Sequence, residues 1–281
     1  MKNILIPTDF SINADNAIEF AMNLFKCERT NFYLMHAYAD ELYKISHNKE
    51  DGLFEEEKKN LAKNSEEKLS TIISKIKSER HNPKHRFEQV SVFESLVDGV
   101  NDFVNKIEID LVLMGTKGQT ADKKITFGSH TVQVFKYVKC PVLAIPSDYI
   151  FKQPKKILFP SDYMIPYKRR ELKLLDTLAA RFKSEIHSLY ISDFEDLSHR
   201  QTDNQLFLKE SLPHANLSFK RTEVKNRGIA IMEYVSEQNM DLLVMVNSRH
   251  SFLEDMLYRS TVHQIALNPV IPFLVLQNLP R

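Results

Sequence analysis

Along the whole chain, short apolar runs rich in β-branched residues alternate with longer amphipathic stretches, the pattern of parallel strands joined by crossover helices. In the first half the runs predict strands near 3–7, 31–37, 87–93, 111–114 and 142–145; in the second, near 157–160, 185–191, 217–224, 242–246 and 273–276. Most are nearly continuous in apolar residues rather than alternating, as a sheet covered on both faces requires. The first helix is expected to start near Ser11 or Asn13, where capping chemistry is available, and to carry Ala14, Ala17, Ile18, Ala21, Met22 and Phe25 on one side. Residues 55–80 combine helical periodicity with dense opposite charges, which reads as a long helix with a solvated face. A doubly wound α/β architecture follows.

The pattern repeats. Lys2-Asn3-Ile4-Leu5-Ile6-Pro7-Thr8-Asp9-Phe10 returns as Lys155-Lys156-Ile157-Leu158-Phe159-Pro160-Ser161-Asp162-Tyr163. Asp110-Leu111-Val112-Leu113-Met114 returns as Asp241-Leu242-Leu243-Val244-Met245, and Pro141-Val142-Leu143-Ala144-Ile145 as Pro272-Phe273-Leu274-Val275-Leu276. The copies span 1–146 and 155–281, and the middle crossover is shorter and more polar in the second. The connection 147–154 is short, contains aromatics and is not rich in glycine or serine, so docked domains are expected rather than tethered ones.

Composition narrows the function classes. The 281 residues are about twice a common domain length of roughly 100–150, and 43% hydrophobic with 27% charged residues is the balance of a packed protein. With 38 basic and 37 acidic side chains, no whole-protein field favours nucleic acid or an anionic membrane. The N-terminal apolar run is too short for a signal peptide, and no stretch approaches the ~20 apolar residues of a membrane span; a cytoplasmic location is expected. Cys27 and Cys140 have no metal-ligand or CxxC spacing and are expected to be buried thiols.

Candidate chemistry concentrates in glycine. The chain has only six, roughly 2% against a usual ~7%, yet Gly115, Gly118 and Gly128 fall within 14 residues. They sit between the 111–114 strand and an amphipathic stretch through Val132, Phe135 and Val138. Ligands of open α/β sheets bind at such a carboxyl edge, and backbone N–H groups at a glycine turn and a helix N-terminus form an anion nest. Phosphate is the obvious guest, with hydroxyls from Ser129 and Thr131 and a charge from Lys117. Asp9 can accept bonds from a ligand or cap a helix start. His36, within an apolar run, reads as a core or sheet-end histidine.

The spacing Gly-x2-Gly-x9-Gly-Ser, with the N-terminal Ile-Leu-Ile-Pro-Thr-Asp-Phe-Ser and a second strand ending Leu34-Met35-His36-Ala37, resembles the universal stress protein family in its ATP-binding branch. The resemblance extends across copy one and, more weakly, copy two. It implies tandem Rossmann-like domains of the adenine nucleotide alpha hydrolase type, each a five-stranded parallel sheet of order 3-2-1-4-5 flanked by helices, often dimeric through the last strand. It implies that Pro7, Thr8 and Asp9 line the adenosine end, that Ala37 sits beside the adenine, and that Gly115, Lys117, Gly118, Gly128, Ser129, His130 and Thr131 surround ribose and phosphates, with Met114 contributing backbone. The ligand it implies is ATP or another adenine nucleotide, with or without Mg2+. A stress-response role with an unidentified protein partner follows from it, with weak hydrolysis at most.

Aligning the copies puts Val246, Arg249, Arg259 and Ser260 where copy one has Gly115, Gly118, Gly128 and Ser129. Side chains there obstruct close approach of backbone to phosphate and demand backbone conformations that glycine favours. Pro160-Ser161-Asp162 survives, which leaves open an adenosine pocket without a phosphate nest, while the arginines are open to anion binding or salt bridging. Copy two is expected to act as an internal pseudo-dimer partner. No Gly-x4-Gly-Lys-(Ser/Thr), Gly-x-Gly-x-x-Gly or His-Glu-x-x-His occurs, and no general base marks the nest, so no catalytic or metal-binding residue is assigned. Three readings stand: a nucleotide-binding sensor, an interaction module without a ligand, and a slow ATPase.

Overall fold

The computed structural model describes residues 1–45, 51–118, 127–192, 194, 196–223, 226–248, 251, 253 and 270–278. The chain divides into two compact units, one holding Met1–Asp122 and Phe127–Asp148, the other Tyr149–Arg281.

The first unit runs β1 (Lys2–Pro7), α1 (Ile12–Leu24), β2 (Thr30–Ala37), α2 (Ala39–Ile45), α3 (Asp51–Glu79), β3 (His85–Val92), α4 (Leu96–Lys106), β4 (Leu111–Gly115), α5 (Ser129–Tyr137) and β5 (Val142–Ile145). Its strands are parallel in the order β3-β2-β1-β4-β5. Ile4, Leu5 and Ile6 of β1 and Leu111, Val112 and Leu113 of β4 are wholly buried, which explains why these runs read as continuously apolar. The outer strand β3 alternates instead, with Arg86 and Glu88 exposed about a half-buried Phe87. α1 starts where Ser11 accepts a hydrogen bond from the Ala14 N–H at 3.2 Å and buries Ala14, Ala17, Ile18 and Ala21. α3 buries Ser65, Leu69, Ile73 and Ile76 along one stripe, leaving its charged residues to solvent.

The second unit runs β6 (Lys156–Ser161), α6 (Arg169–Phe182), β7 (Glu185–Ile191), α7 (His199–Ser211), β8 (Asn216–Thr222), α8 (Arg227–Gln238), β9 (Leu242–Asn247) and β10 (Phe273–Gln277). Its strands are again parallel, in the order β8-β7-β6-β9-β10. Its crossover helix α7 has 13 residues against 29 in α3. In a chain so poor in glycine, Lys183 and Asn239 end α6 and α8 in the left-handed region, a position glycine usually takes.

The repeated sequence segments do the same structural work in each unit. Asp110 accepts from the Asn3 N–H at 2.9 Å, and Asp241 from the Lys156 N–H at 2.9 Å, so one aspartate ties the start of the central strand to that of its neighbour. At the other end, Thr8 Oγ1 accepts from the Phe10 N–H at 3.0 Å and Asp9 Oδ1 from the Ser11 N–H at 3.1 Å. Ser161 Oγ accepts from Tyr163 N–H at 2.8 Å and Asp162 Oδ1 from Met164 N–H at 2.9 Å. These interlocked side-chain turns hold Phe10 and Tyr163 at φ 61° and 55°, uncommon for bulky residues.

Two expectations need correction. Cys140 is buried, and burial pushes its thiol up to about 12, which keeps it unreactive; Cys27, in the loop after α1, is exposed. The glycines are not needed for left-handed backbone, since none among the described residues has a positive φ.

Candidate functional site

The candidate residues gather at the carboxyl ends of β1, β2 and β4. Pro7, Thr8, Met114 and Gly115 are buried at the strand ends, Asp9 and Ala37 are half-buried, and Gly118 is exposed. Ala37 ends β2, separated from β4 by β1.

Each glycine of the loop has a distinct spatial role. A Cβ on Gly115 would lie 3.1 Å from the Asn13 carbonyl oxygen, so this glycine lets the first turn of α1 pack on the end of β4. A Cβ on Gly118 would come within 2.7 Å of Asp9 Oδ2, closer than real Cβ contacts permit. The loop therefore passes directly against the Asp9 carboxylate. Gly128 has only ordinary clearance, at 3.7 Å to Lys117 Cα, and its N–H donates to the Thr116 carbonyl at 2.8 Å. Thr131 Oγ1 donates to the carbonyls of Thr116 at 3.0 Å and Gly115 at 3.3 Å. These bonds fasten the start of α5 to the end of β4.

The N-cap of α5 is Gly128, which has no side chain to accept from the first-turn N–H groups. α1, α4, α7 and α8 are capped by Ser11, Ser95, Ser198 and Asn226. The orphan donors of α5 and the positive end of its dipole thus face the glycine loop, with the exposed Ser129 and His130 in its first turn. The hydroxyl of Thr131, by contrast, is committed to the backbone of β4.

Several participants have no sequence signal. α2 is only seven residues long, yet Asp40 lies 3.5 Å from His130 Nε2, and Glu41 Oε1 lies 3.1 Å from the buried His36 Nε2. The other His36 nitrogen pairs with Ser65 Oγ at 3.0 Å, and Ser91 donates to that hydroxyl at 2.8 Å. This chain of bonds is self-consistent with an imidazole protonated at Nε2. His36 holds the Glu41 carboxyl below its ordinary range through that hydrogen bond. Phe10 packs on the His36 ring at 4.5 Å, and Lys68 Nζ stands 5.0 Å over Phe10. His36 thus supports the Phe10 turn from beneath. Asn13 was also not among the sequence-derived site residues; only the closeness of backbone to Gly115 reveals it.

In the second unit the ladder registers place Val246 at the position of Gly115: Ile4 pairs with Leu111 and Ile157 with Leu242. Arg249, Arg259 and Ser260 lie outside the described residues. Val246 itself is buried. The buried Tyr167 hydroxyl bonds Ser161 Oγ, and a void of about 10 Å³ lies among Pro160, Tyr167, Met245 and Val246.

Among the described residues there is no cluster of three or more metal-ligating side chains, and no helix is long and apolar enough to cross a membrane.

The sequence model of the universal stress protein family matches residues 1–146. A universal stress protein of Methanocaldococcus jannaschii is 28% identical over 163 residues, covering 55% of this chain and 84% of that protein. Among solved structures, a universal stress protein from Archaeoglobus fulgidus superposes with a TM-score of 0.73 at 19% identity, covering 98% of this chain and 96% of that one. A Pseudomonas aeruginosa protein of unknown function gives 0.57 at 12% identity, covering 99% and 92%. Both structural likenesses are of fold.

Proposed function

We propose, from the premise that the chain belongs to the universal stress protein family, that its first unit binds ATP or a related adenine nucleotide and acts as a cytoplasmic stress-response sensor. Occupancy would change the surface offered to a partner protein. The observation that carries this reading is the glycine loop at the carboxyl edge. Gly118 passes against Asp9, whose carboxylate a Cβ would push aside, and the loop leads to a helix whose N-cap, Gly128, has no capping side chain.

The chemistry fits an anion with a donor-rich end. The free N–H groups of the α5 start, with Ser129 and His130, suit phosphate. The Asp9 carboxylate, an acceptor only, suits ribose hydroxyls. Any Mg2+ would arrive with the phosphates, since Mg2+ is ordinarily held by substrate oxygens and waters with only one or two carboxylates. When bound it would supply charge neutralisation.

Native mass spectrometry of the full chain tests the reading: one adenine nucleotide, co-purified or added, is expected. No bound nucleotide even in large excess rejects it.

One observation favours a second reading, an interaction module without a ligand. Gly115, Thr8, Asp9 and Thr131 all have structural partners of their own. That reading expects an unchanged thermal midpoint with ATP, whereas binding at 100-fold excess over Kd stabilises by about 2.7 kcal/mol. A slow ATPase would show Mg2+-dependent turnover lost in Asp9→Ala.

A further inference from the structure

Two adjacent carboxylates of α2 reach two different histidines. Glu41 Oε1 lies 3.1 Å from His36 Nε2, and Asp40 Oδ2 lies 3.5 Å from His130 Nε2. The two pairs differ in how firmly they are built. The His36 side chain is 6% exposed and is held at its other nitrogen by Ser65, whereas Asp40 and His130 are 45% and 50% exposed. A solvated pair of that kind is weak and readily exchanged. Glu41 therefore fixes α2 to β2, and Asp40 makes the contact that can open.

Little else holds α2 down. Its seven residues span about 10 Å, too short a helix to be stable alone. Only Ala39 and Leu42 are buried, while Tyr43, Lys44 and Ile45 are exposed. Segments with so few buried contacts open at low cost. The entry to α2 hangs from the end of β3, where the Tyr38 N–H donates to the Val92 carbonyl at 3.1 Å and the Ala39 N–H to the Glu94 carbonyl at 3.3 Å. Tyr43 packs at 6.0 Å on the Phe54 ring of α3 and at 6.1 Å on Phe93. A shift of α2 thus alters an aromatic surface that it shares with α3.

The other side of the contact is the start of α5. α1, α4, α6, α7 and α8 each have a capping side chain or an acidic residue in the first turn, and α5 has neither. A helix start that lacks both attracts an anion. Asp40 supplies that charge from outside the helix, through His130 in the first turn. Phosphate is the stronger competitor for the same place, because it carries more acceptor oxygens. A carboxylate and a phosphate cannot share it, since like charges a few ångströms apart repel.

We propose that Asp40 is an autoinhibitory stand-in for phosphate: it holds α2 against the start of α5, and the phosphates of an entering nucleotide take its place and release α2. The proposal rests on the reading of the first unit as a nucleotide site and adds the element that moves. Release of α2 changes the surface formed by Tyr43, Phe54 and Phe93, which couples occupancy to what a partner protein meets.

Hydrogen exchange of the full chain, followed by mass spectrometry, and calorimetric ATP binding test it on the wild type and Asp40→Asn. Saturating ATP is expected to speed exchange in peptides spanning 39–45 of the wild type. Asp40→Asn is expected to exchange fast there without ATP, to show no further increase with it, and to bind ATP about fivefold more tightly, the scale of an exposed ion pair. The gain in affinity separates two roles, since a carboxylate that only braced α2 would leave ATP affinity unchanged or lower on its loss. ATP bound by the wild type without faster exchange in 39–45, or bound by Asp40→Asn no more tightly than by the wild type, overturns the proposal and leaves the nucleotide reading intact. No ATP bound by either protein rejects the nucleotide reading and the proposal with it.

Discussion

At the ends of β1 and β6 the two units make the same turn and then diverge. In both, a hydroxyl residue and an aspartate bind the backbone that follows and set an aromatic residue into the left-handed region. One strand away, the first unit has Gly115, with α1 backbone against it, and the second has Val246, which shares the lining of a void of about 10 Å³ with Tyr167. The repeated motif Pro-(Thr/Ser)-Asp-aromatic is therefore a fold element kept in both units. The glycines distinguish one unit from the other. A shared motif in a tandem protein locates the scaffold; the residues that differ locate the chemistry.

Substitutions can break this comparison. The largest effect is expected for Gly118→Val, whose Cβ meets Asp9 Oδ2: ATP affinity measured by calorimetry should fall at least ~100-fold, about 2.8 kcal/mol at 1.4 kcal/mol per decade. Next comes exchange of the equivalent positions. Gly115→Val should destabilise the first unit by about 1–3 kcal/mol in denaturant unfolding, because its side chain is forced against the Asn13 carbonyl. Val246→Gly should confer no ATP binding, since Tyr167 still occupies the space.

Tyr167→Phe isolates the plug itself. Loss of its hydroxyl leaves Ser161 Oγ with the Tyr163 N–H alone and should cost about 1 kcal/mol in the same unfolding measurement. The smallest effect is a pH dependence carried by Glu41 in the first unit. The His36 bond lowers the Glu41 pKa below 4.5 in the folded state. Its stabilisation is therefore present above the ordinary carboxylate range and lost as pH falls through the lowered folded value. Glu41→Gln should flatten that acid limb in thermal unfolding followed against pH. The effect is modest because the Glu41 side chain is 47% exposed. Tyr190 stands at the place of His36 in the second unit, so this particular pair has no counterpart there.

The parallel α/β class was legible because β1, β4 and their repeats β6 and β9 are buried on both faces and read as nearly unbroken apolar runs. The outer strands were harder to bound, since β3 and β8 each expose several residues and mix polar with apolar side chains. α2 was illegible: seven residues are too few to establish a period, and Asp40 and Glu41 look like solvated charges until His130 and His36 are brought to them by the fold.

The glycine cluster was visible in the sequence, but its physical meaning was not. Spacing suggested backbone freedom, whereas Gly115 and Gly118 provide room for Asn13 and Asp9 at ordinary negative-φ geometry. Tyr167 had no signal at all, because a plug is recognised only by the cavity it removes.

One phosphate-binding unit per chain is the central claim, and counting bound nucleotide on the intact protein tests it most directly. Native mass spectrometry in excess ATP should give one ATP per chain in the wild type and none in Gly118→Val. Two ATP per chain, or full occupancy retained in Gly118→Val, contradicts it.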